Sequence, residues 1–280
     1  MKEIELDAGP IEYTDSGGGG PTLVFLGGLV MPGSVWDPLT ELLVREYRCV
    51  VPTLPLGGHR RPMNPDAELT LPGFATIVAQ FLERLDLDAV TLVGNDHAAA
   101  LALCGEGDHS RVERLVISSC EAFENYPPGL PGKNIRLTAH APGGVFLAMQ
   151  AMRLRALRRL PMSFGWLAKG PLPDELWDEW LRPVQGERGV RRDLARYARG
   201  ARRKQMVALC EKLPGFTKPA LVVWTPEDKI QRPEHGRRLA ETFPDARLVE
   251  IDDSYTLIMR DRPEAFAKAI REFVPVGAGG

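Results

Sequence analysis

"AVTLVGNDHAAALALC", residues 89–104, decides how the chain folds. The apolar run from Val90 to Val93 reads as a strand buried on both faces, as strands of a parallel sheet are. Alanine-rich "HAAALALC" reads as a helix. Only Gly94-Asn95-Asp96 separates the two. A strand that turns into a helix this abruptly strains the residue at its tip and needs small residues two positions to either side. Gly94 and Ala98 meet that need, which puts Asp96 at the tip. The backbone amide of His97 then lies at a helix N-terminus, where it can face a developing negative charge. The plain alternative is that Asp96 only caps the helix, a position aspartate favours.

On either side of this turn the chain alternates strand and helix. Strands are expected at the start of "IEYTDSGGGG" (11–20), at Thr22–Leu26, in "RCVVPTLPL" (48–56), at "VERLVISSC" (112–120), at "PALVVWTPED" (219–228) and at "ARLVEID" (246–252). Helices are expected at "WDPLTELLVREY" (36–47), at "LPGFATIVAQFLERLDL" (71–87), at "PEHGRRLAETF" (233–243) and at "PEAFAKAIREFV" (263–274). Such alternation gives a mostly parallel sheet covered by helices on both faces. From Glu121 to about Gly215 the pattern changes to Pro/Gly-punctuated, Arg-rich helical pieces such as "VFLAMQAMRLRALRRL" (145–160). The expected organisation is therefore a core from 1–121, a helical cap from 122–215 and the rest of the core from 216–280. The Gly17–Gly20 run and the "PVGAGG" tail (275–280) are expected to be disordered.

Composition excludes several classes of function. A formal net charge of −2 in 280 residues speaks against nucleic acid as a partner. No 18-residue apolar run and no signal-peptide core are present, so neither a membrane span nor export is expected. The scattered cysteines (Cys49, Cys104, Cys120, Cys210) read as reduced thiols of a cytoplasmic protein. No metal, nucleotide or flavin motif occurs, and no cofactor is expected. Charge is nonetheless uneven: residues 132–215 hold 17 Lys/Arg against 7 Asp/Glu. These arginines read first as the solvated face of cap helices, and alternatively as attraction for an anionic substrate or carrier.

The whole pattern resembles the α/β-hydrolase fold superfamily, and aspartate at the turn resembles its haloalkane dehalogenase and epoxide hydrolase branch. "LVFLGGLVMPGSVWD" (23–37) is similar to the loop that supplies an oxyanion amide, here that of Leu29, with Gly27 where the family usually has histidine. "LVVWTPEDKI" (221–230) resembles the strand that delivers the orienting acid, here Asp228. Glu121 falls near a second location for that acid. The resemblance implies that Asp96 attacks carbon to form an ester, and that a histidine then activates water to break it.

That histidine is missing. The family's last motif places it seven residues before the proline that opens the final helix, and in "DDSYTLIMRDRPE" (252–264) counting back from Pro263 reaches Thr256. A threonine hydroxyl has no useful acid–base pKa near neutrality. Of the histidines present, His97 is expected beside Asp96, either as a relocated acid–base group or as an ion-pair partner. His59 borders the pocket, with a structural hydrogen bond as its expected use, and His140 lies at the start of the cap. The cap aromatics Phe164, Trp166, Trp177 and Trp180, with Met149, Met152 and Met162, are expected mostly to pack and partly to line an apolar pocket.

Three functions follow. The first is a hydrolase of a small apolar ester, epoxide or alkyl halide with Asp96 as nucleophile. The second is a lyase, isomerase or cyclase using Asp96 and His97 as an acid–base pair. The third is a binding protein with a relic site. The oligomeric state is left open.

Overall fold

The structure is a computed structural model that describes residues 1–276. The "PVGAGG" tail from 277 onward lies outside the described residues. The strands are β1 (Lys2–Leu6), β2 (Gly9–Asp15), β3 (Thr22–Leu26), β4 (Arg48–Pro52), β5 (Val90–Asp96), β6 (Val112–Cys120), β7 (Ala220–Trp224) and β8 (Ala246–Glu250). Before the cap segment come helices α1 (Asp37–Leu43), α2 (Leu71–Arg84) and α3 (Ala99–Glu106). Between β6 and β7 run α4 (Gly129–His140), α5 (Gly144–Ala151), α6 (Arg155–Arg158), α7 (Asp174–Gly186), α8 (Arg188–Gly200) and α9 (Arg203–Cys210). The chain closes with α10 (Pro233–Thr242), α11 (Ile258–Asp261) and α12 (Pro263–Phe273).

Among the described residues the strands form one eight-stranded sheet in the order β1-β2-β4-β3-β5-β6-β7-β8. β1 and β2 pair antiparallel, β2 joins β4 antiparallel, and every later pairing is parallel. This is the expected α/β architecture. In β5 every residue is buried, because helices cover both faces; a run with no polar alternation is the sequence signature of that placement. The edge strand β8 alternates exposed and half-buried residues instead. From β3 the chain goes first to β4 on one side and later to β5 on the other. The crevice between the ends of β3 and β5 is thus a topological switch point, where ligands bind in such sheets.

Two expectations are corrected. The Gly17–Gly20 run is an ordered connection between β2 and β3, with Gly17 and Gly18 at positive φ (68° and 100°) and Gly17 N–H donating to Asp15. The piece at 145–160 is not one helix but two, α5 and α6, broken after Ala151. Arg158 explains the break: its side chain is buried, its Nε donates to the Met152 carbonyl at 2.5 Å and its guanidinium pairs with Asp178. A carbonyl drawn to a guanidinium is withdrawn from the helical ladder.

Candidate active site

The strand–turn–helix at residues 89–104 puts Asp96 at φ +62°, in the left-handed region that non-glycine residues rarely adopt. The His97 amide closes this tight turn by donating to the Asn95 carbonyl at 2.7 Å. Small neighbours are obligatory. A Cβ on Gly94 would sit 2.9 Å from the Ala100 methyl, and a Cβ on Gly28 would sit 1.9 Å from Asp96 Oδ2. The backbone after β3 therefore passes directly over the Asp96 carboxylate, and Leu29 N–H donates to Oδ2 at 3.2 Å. The amide expected to serve an oxyanion thus faces the carboxylate itself.

Glu121 reaches the same place through an irregularity in β6. The pairing runs Asn95↔Ser118 and then Asp96↔Cys120, so one extra residue, Ser119, is inserted at φ +26°. A bulge re-aims the side chains that follow it. Here Glu121 N–H donates to the Asp96 carbonyl at 2.9 Å, and the Glu121 side chain is 1% exposed. Its carboxyl accepts from Ala98 N–H at 3.4 Å and from the Tyr197 hydroxyl at 3.3 Å to each oxygen. Tyr197 comes from α8, so the cap supplies one wall of the site.

The two carboxyl groups ionise differently. Burial raises Asp96 to about 6, against the opposing pull of the Leu29 amide and the Gln231 side chain. Burial also raises Glu121 well above its ordinary value, and the charge of Asp96 raises it further. The charge of Asp96 therefore favours the protonated form of Glu121 beside it, an arrangement in which one group can serve as base or nucleophile and the other as acid.

Asp228 stands behind them. Its Oδ1 accepts from the amides of Ile230 and Gln231, both at 2.8 Å, and from the Thr256 hydroxyl at 3.0 Å. Oδ2 is buried without a partner, and so is the nearby Ser119 Oγ. Burial raises Asp228 to about 6 despite these donors. Thr256 thus ties down Asp228, and its own carbonyl accepts from Asn95 Nδ2 at 2.8 Å.

Gln231 went unnoticed in the sequence. It is fully buried, and its Nε2 lies 3.3 Å from Asp96 Oδ1 while its own amide binds Asp228. One residue therefore connects both acids. Nothing in "EDKIQRP" marks it, and Tyr197 was equally hidden among the arginines of α8.

The expectation for His97 is corrected. Its ring packs edge-on against Phe74 and Tyr197, at centroid distances of 4.7 and 5.1 Å, and Nδ1 accepts from Ala99 N–H at 3.2 Å. It makes no hydrogen bond to Asp96, and burial lowers it to about 3, so it is neutral and no ion-pair partner. The reason is the same tight turn: with φ +62° at Asp96 the next side chain points toward Phe74 and not into the cavity. Nor do the other histidines reach the site. His59 is buried against Asp193 at 3.3 Å, and His140 is exposed, with Nδ1 2.8 Å from the Arg136 carbonyl. His109 and His235 pack edge-on against Phe216 and Phe123.

Asp96 and Glu121 open onto a cavity of ≈ 310 Å³ whose remaining walls are mostly apolar, with Met149, Met152, Met162, Phe164 and Leu194 facing Tyr197. Trp177 instead stacks on Phe164 at 4.8 Å, and Trp180 packs between cap and core, its Nε1 donating to Ser34 Oγ at 3.1 Å and Arg260 lying over its ring. Among the described residues no group of three or more His, Cys, Asp or Glu side chains could hold a metal ion, and no helix is long and apolar enough to cross a membrane.

A family model described as the alpha/beta hydrolase family matches residues 23–269. Haloalkane dehalogenase 2 of Mycobacterium tuberculosis is 26% identical over 273 residues, covering 94% of this chain and 91% of that one. Among solved structures, a thermophilic esterase from Thermogutta terrifontis superposes with a TM-score of 0.76 at 20% identity, covering 98% of both chains. The enol-lactonase of Burkholderia xenovorans LB400 gives 0.70 at 22% identity, covering 97% of this chain and 99% of that one.

Proposed function

The chain belongs to the alpha/beta hydrolase family, and from that premise we propose that it hydrolyses a small apolar epoxide, with Asp96 as nucleophile and Glu121 as proton carrier. One observation carries this reading: two buried carboxyl groups, Asp96 and Glu121, share an apolar cavity that no histidine lines, and the charge of Asp96 favours the protonated form of Glu121.

Asp96 attacks an epoxide carbon, the C–O bond breaks, and the departing alkoxide takes the proton of Glu121. Glu121 is now a carboxylate, and this second state supplies what Thr256 cannot. It accepts a proton from water as that water attacks the carbonyl carbon of the Asp96 ester, and the Leu29 amide steadies the resulting oxyanion. Collapse expels the second oxygen of the product as alkoxide. The carboxylic acid left on Asp96 gives its proton to that alkoxide, which restores the Asp96 carboxylate, while Glu121 has been neutral again since it took the proton of the attacking water. Tyr197 positions Glu121 throughout. An alkyl halide takes no proton on leaving and would give Glu121 no task in the first step, so an oxygen leaving group suits the site better. Four buried free thiols accord with a cytoplasmic location.

A single turnover in oxygen-18-labelled water tests this, with excess protein and apolar epoxides such as styrene oxide. The label should enter Asp96, read by peptide mass, and not the diol. Label in the first diol would replace the covalent route with direct attack by water. The missing histidine also favours a second reading, in which Asp96 and Glu121 (in place of His97) act as base and acid in an isomerisation or elimination. Its sign in the same experiment is a product without added water, whereas a ligand that binds and is returned unchanged would indicate a binding protein.

A further inference from the structure

A second concavity, a groove of ≈ 800 Å³, adjoins the apolar cavity and shares Pro127, Arg136 and Leu137 with it. Its character is opposite. Lys133, Arg136, Arg203 and Arg232 line it. The acid on its wall, Glu124, is already paired with Arg238 at 2.9 Å. Among the described residues, Lys133, Arg136 and Arg203 have no carboxylate partner within ion-pair distance, and Arg232 meets only Glu234, at 3.7 Å. His235 also lines the groove; it is 7% exposed, and its Nδ1 has no hydrogen-bond partner. A protein does not gather four cations and an unsatisfied buried imidazole around a hollow for the sake of its own stability, because like charges repel and an unmatched polar atom costs free energy.

We propose that this groove binds the anionic head group, carboxylate or phosphate, of an amphiphilic substrate whose apolar body lies in the adjoining cavity against Asp96 and Glu121. Arg136 sits at the junction and can reach either space. The arrangement gives a long substrate one orientation: its charge is held outside, and the reacting carbon is brought inside to the carboxyl pair. The excess of positive charge in the cap then has a use beyond solvation. This inference rests on the cavity being the substrate site, but not on the chemistry performed there.

Calorimetric titration of the full-length protein with decanol, decanoate and decyl phosphate, below micelle-forming concentrations and at low salt, tests it without turnover. At least one of the two anions should bind about tenfold more tightly than decanol. The better of the two identifies the head group. That preference should shrink to about twofold or less in the Arg203→Gln/Arg232→Gln double variant and at high ionic strength, with decanol affinity unchanged. Both replaced arginines are exposed, so the fold is not at stake. Equal binding of all three compounds, a preference that survives the double variant, or no binding of any would overturn the proposal. Anion preference without epoxide turnover would sink only the proposed chemistry, and turnover of uncharged epoxides without anion preference would sink only the groove.

Discussion

Asp96→Asn should cost the protein its activity and change how its stability depends on pH. An ordinary aspartate ionises at 3.8, and in this fold burial raises the group to about 6. The native state therefore holds its proton more tightly than the unfolded chain does. Between those two values the unfolded chain binds fewer protons, so stability is full below pH 3.8 and falls as pH rises to about 6. The total penalty is about 3 kcal/mol, of which about 2.5 kcal/mol accrues between pH 4 and pH 8. Asparagine does not ionise and escapes it. Urea unfolding of both proteins at several pH values, followed by the fluorescence of buried Trp36 and Trp224, reads the difference directly. The stability of the variant relative to the parent should rise by about 2.5 kcal/mol from pH 4 to pH 8, whatever constant offset the amide introduces through its contacts with Leu29 and Gln231. Parallel pH curves would refute the reasoning, because they would mean that Asp96 is not held in a medium hostile to its charge.

Gln231→Leu removes a donor to the Asp96 carboxylate, so the acid limb of the pH–rate profile should move to higher pH; an unmoved limb would deny Gln231 this role. Tyr197→Phe takes the hydroxyl from Glu121 and should lower kcat by about tenfold or more with little change in KM, as steady-state kinetics would reveal. Thr256→Val withdraws one of three donors from Asp228 Oδ1 and should destabilise the fold by about 1 kcal/mol, measured at neutral pH by urea unfolding. All four cysteines are buried, and burial pushes Cys49 up to about 12 and Cys210 up to about 11; iodoacetamide should leave the native protein unlabelled and label all four after denaturation.

Much of the sheet was legible because buried parallel strands leave a simple mark. Thr22–Leu26 and Val112–Cys120 span the stretches expected of them, each built round a buried apolar centre. The sharp turn was legible because its sterics demand small residues at 94 and 98. The position of Thr256 was legible by counting from Pro263. What escaped notice depends on three-dimensional arrangement. Glu121 stood out as a carboxylate after β6, yet its aim at Asp96 comes from a bulge at Ser119 that no local pattern announces. His97 is adjacent to Asp96 in sequence, and adjacency misled: consecutive side chains across a strained turn point to different places. Gln231 and Tyr197 lie 135 and 101 positions from Asp96 in the chain, and only the folded chain brings them to it.

The bridge that Gln231 makes between Asp228 and Asp96 has a consequence for how this protein could change over evolutionary time. Regaining a histidine at position 256 looks like a single replacement, and Asp228 still offers it an unused oxygen. Yet an imidazole that reached from there to Asp96 would meet a carboxylate whose Oδ1 Gln231 already holds. The benefit of Thr256→His therefore depends on what stands at 231. Introduced alone it should gain little, whereas after a smaller residue replaces Gln231 it should gain much more. Such dependence of one site on the other slows a return to the histidine, because neither replacement brings its full benefit until the other has occurred.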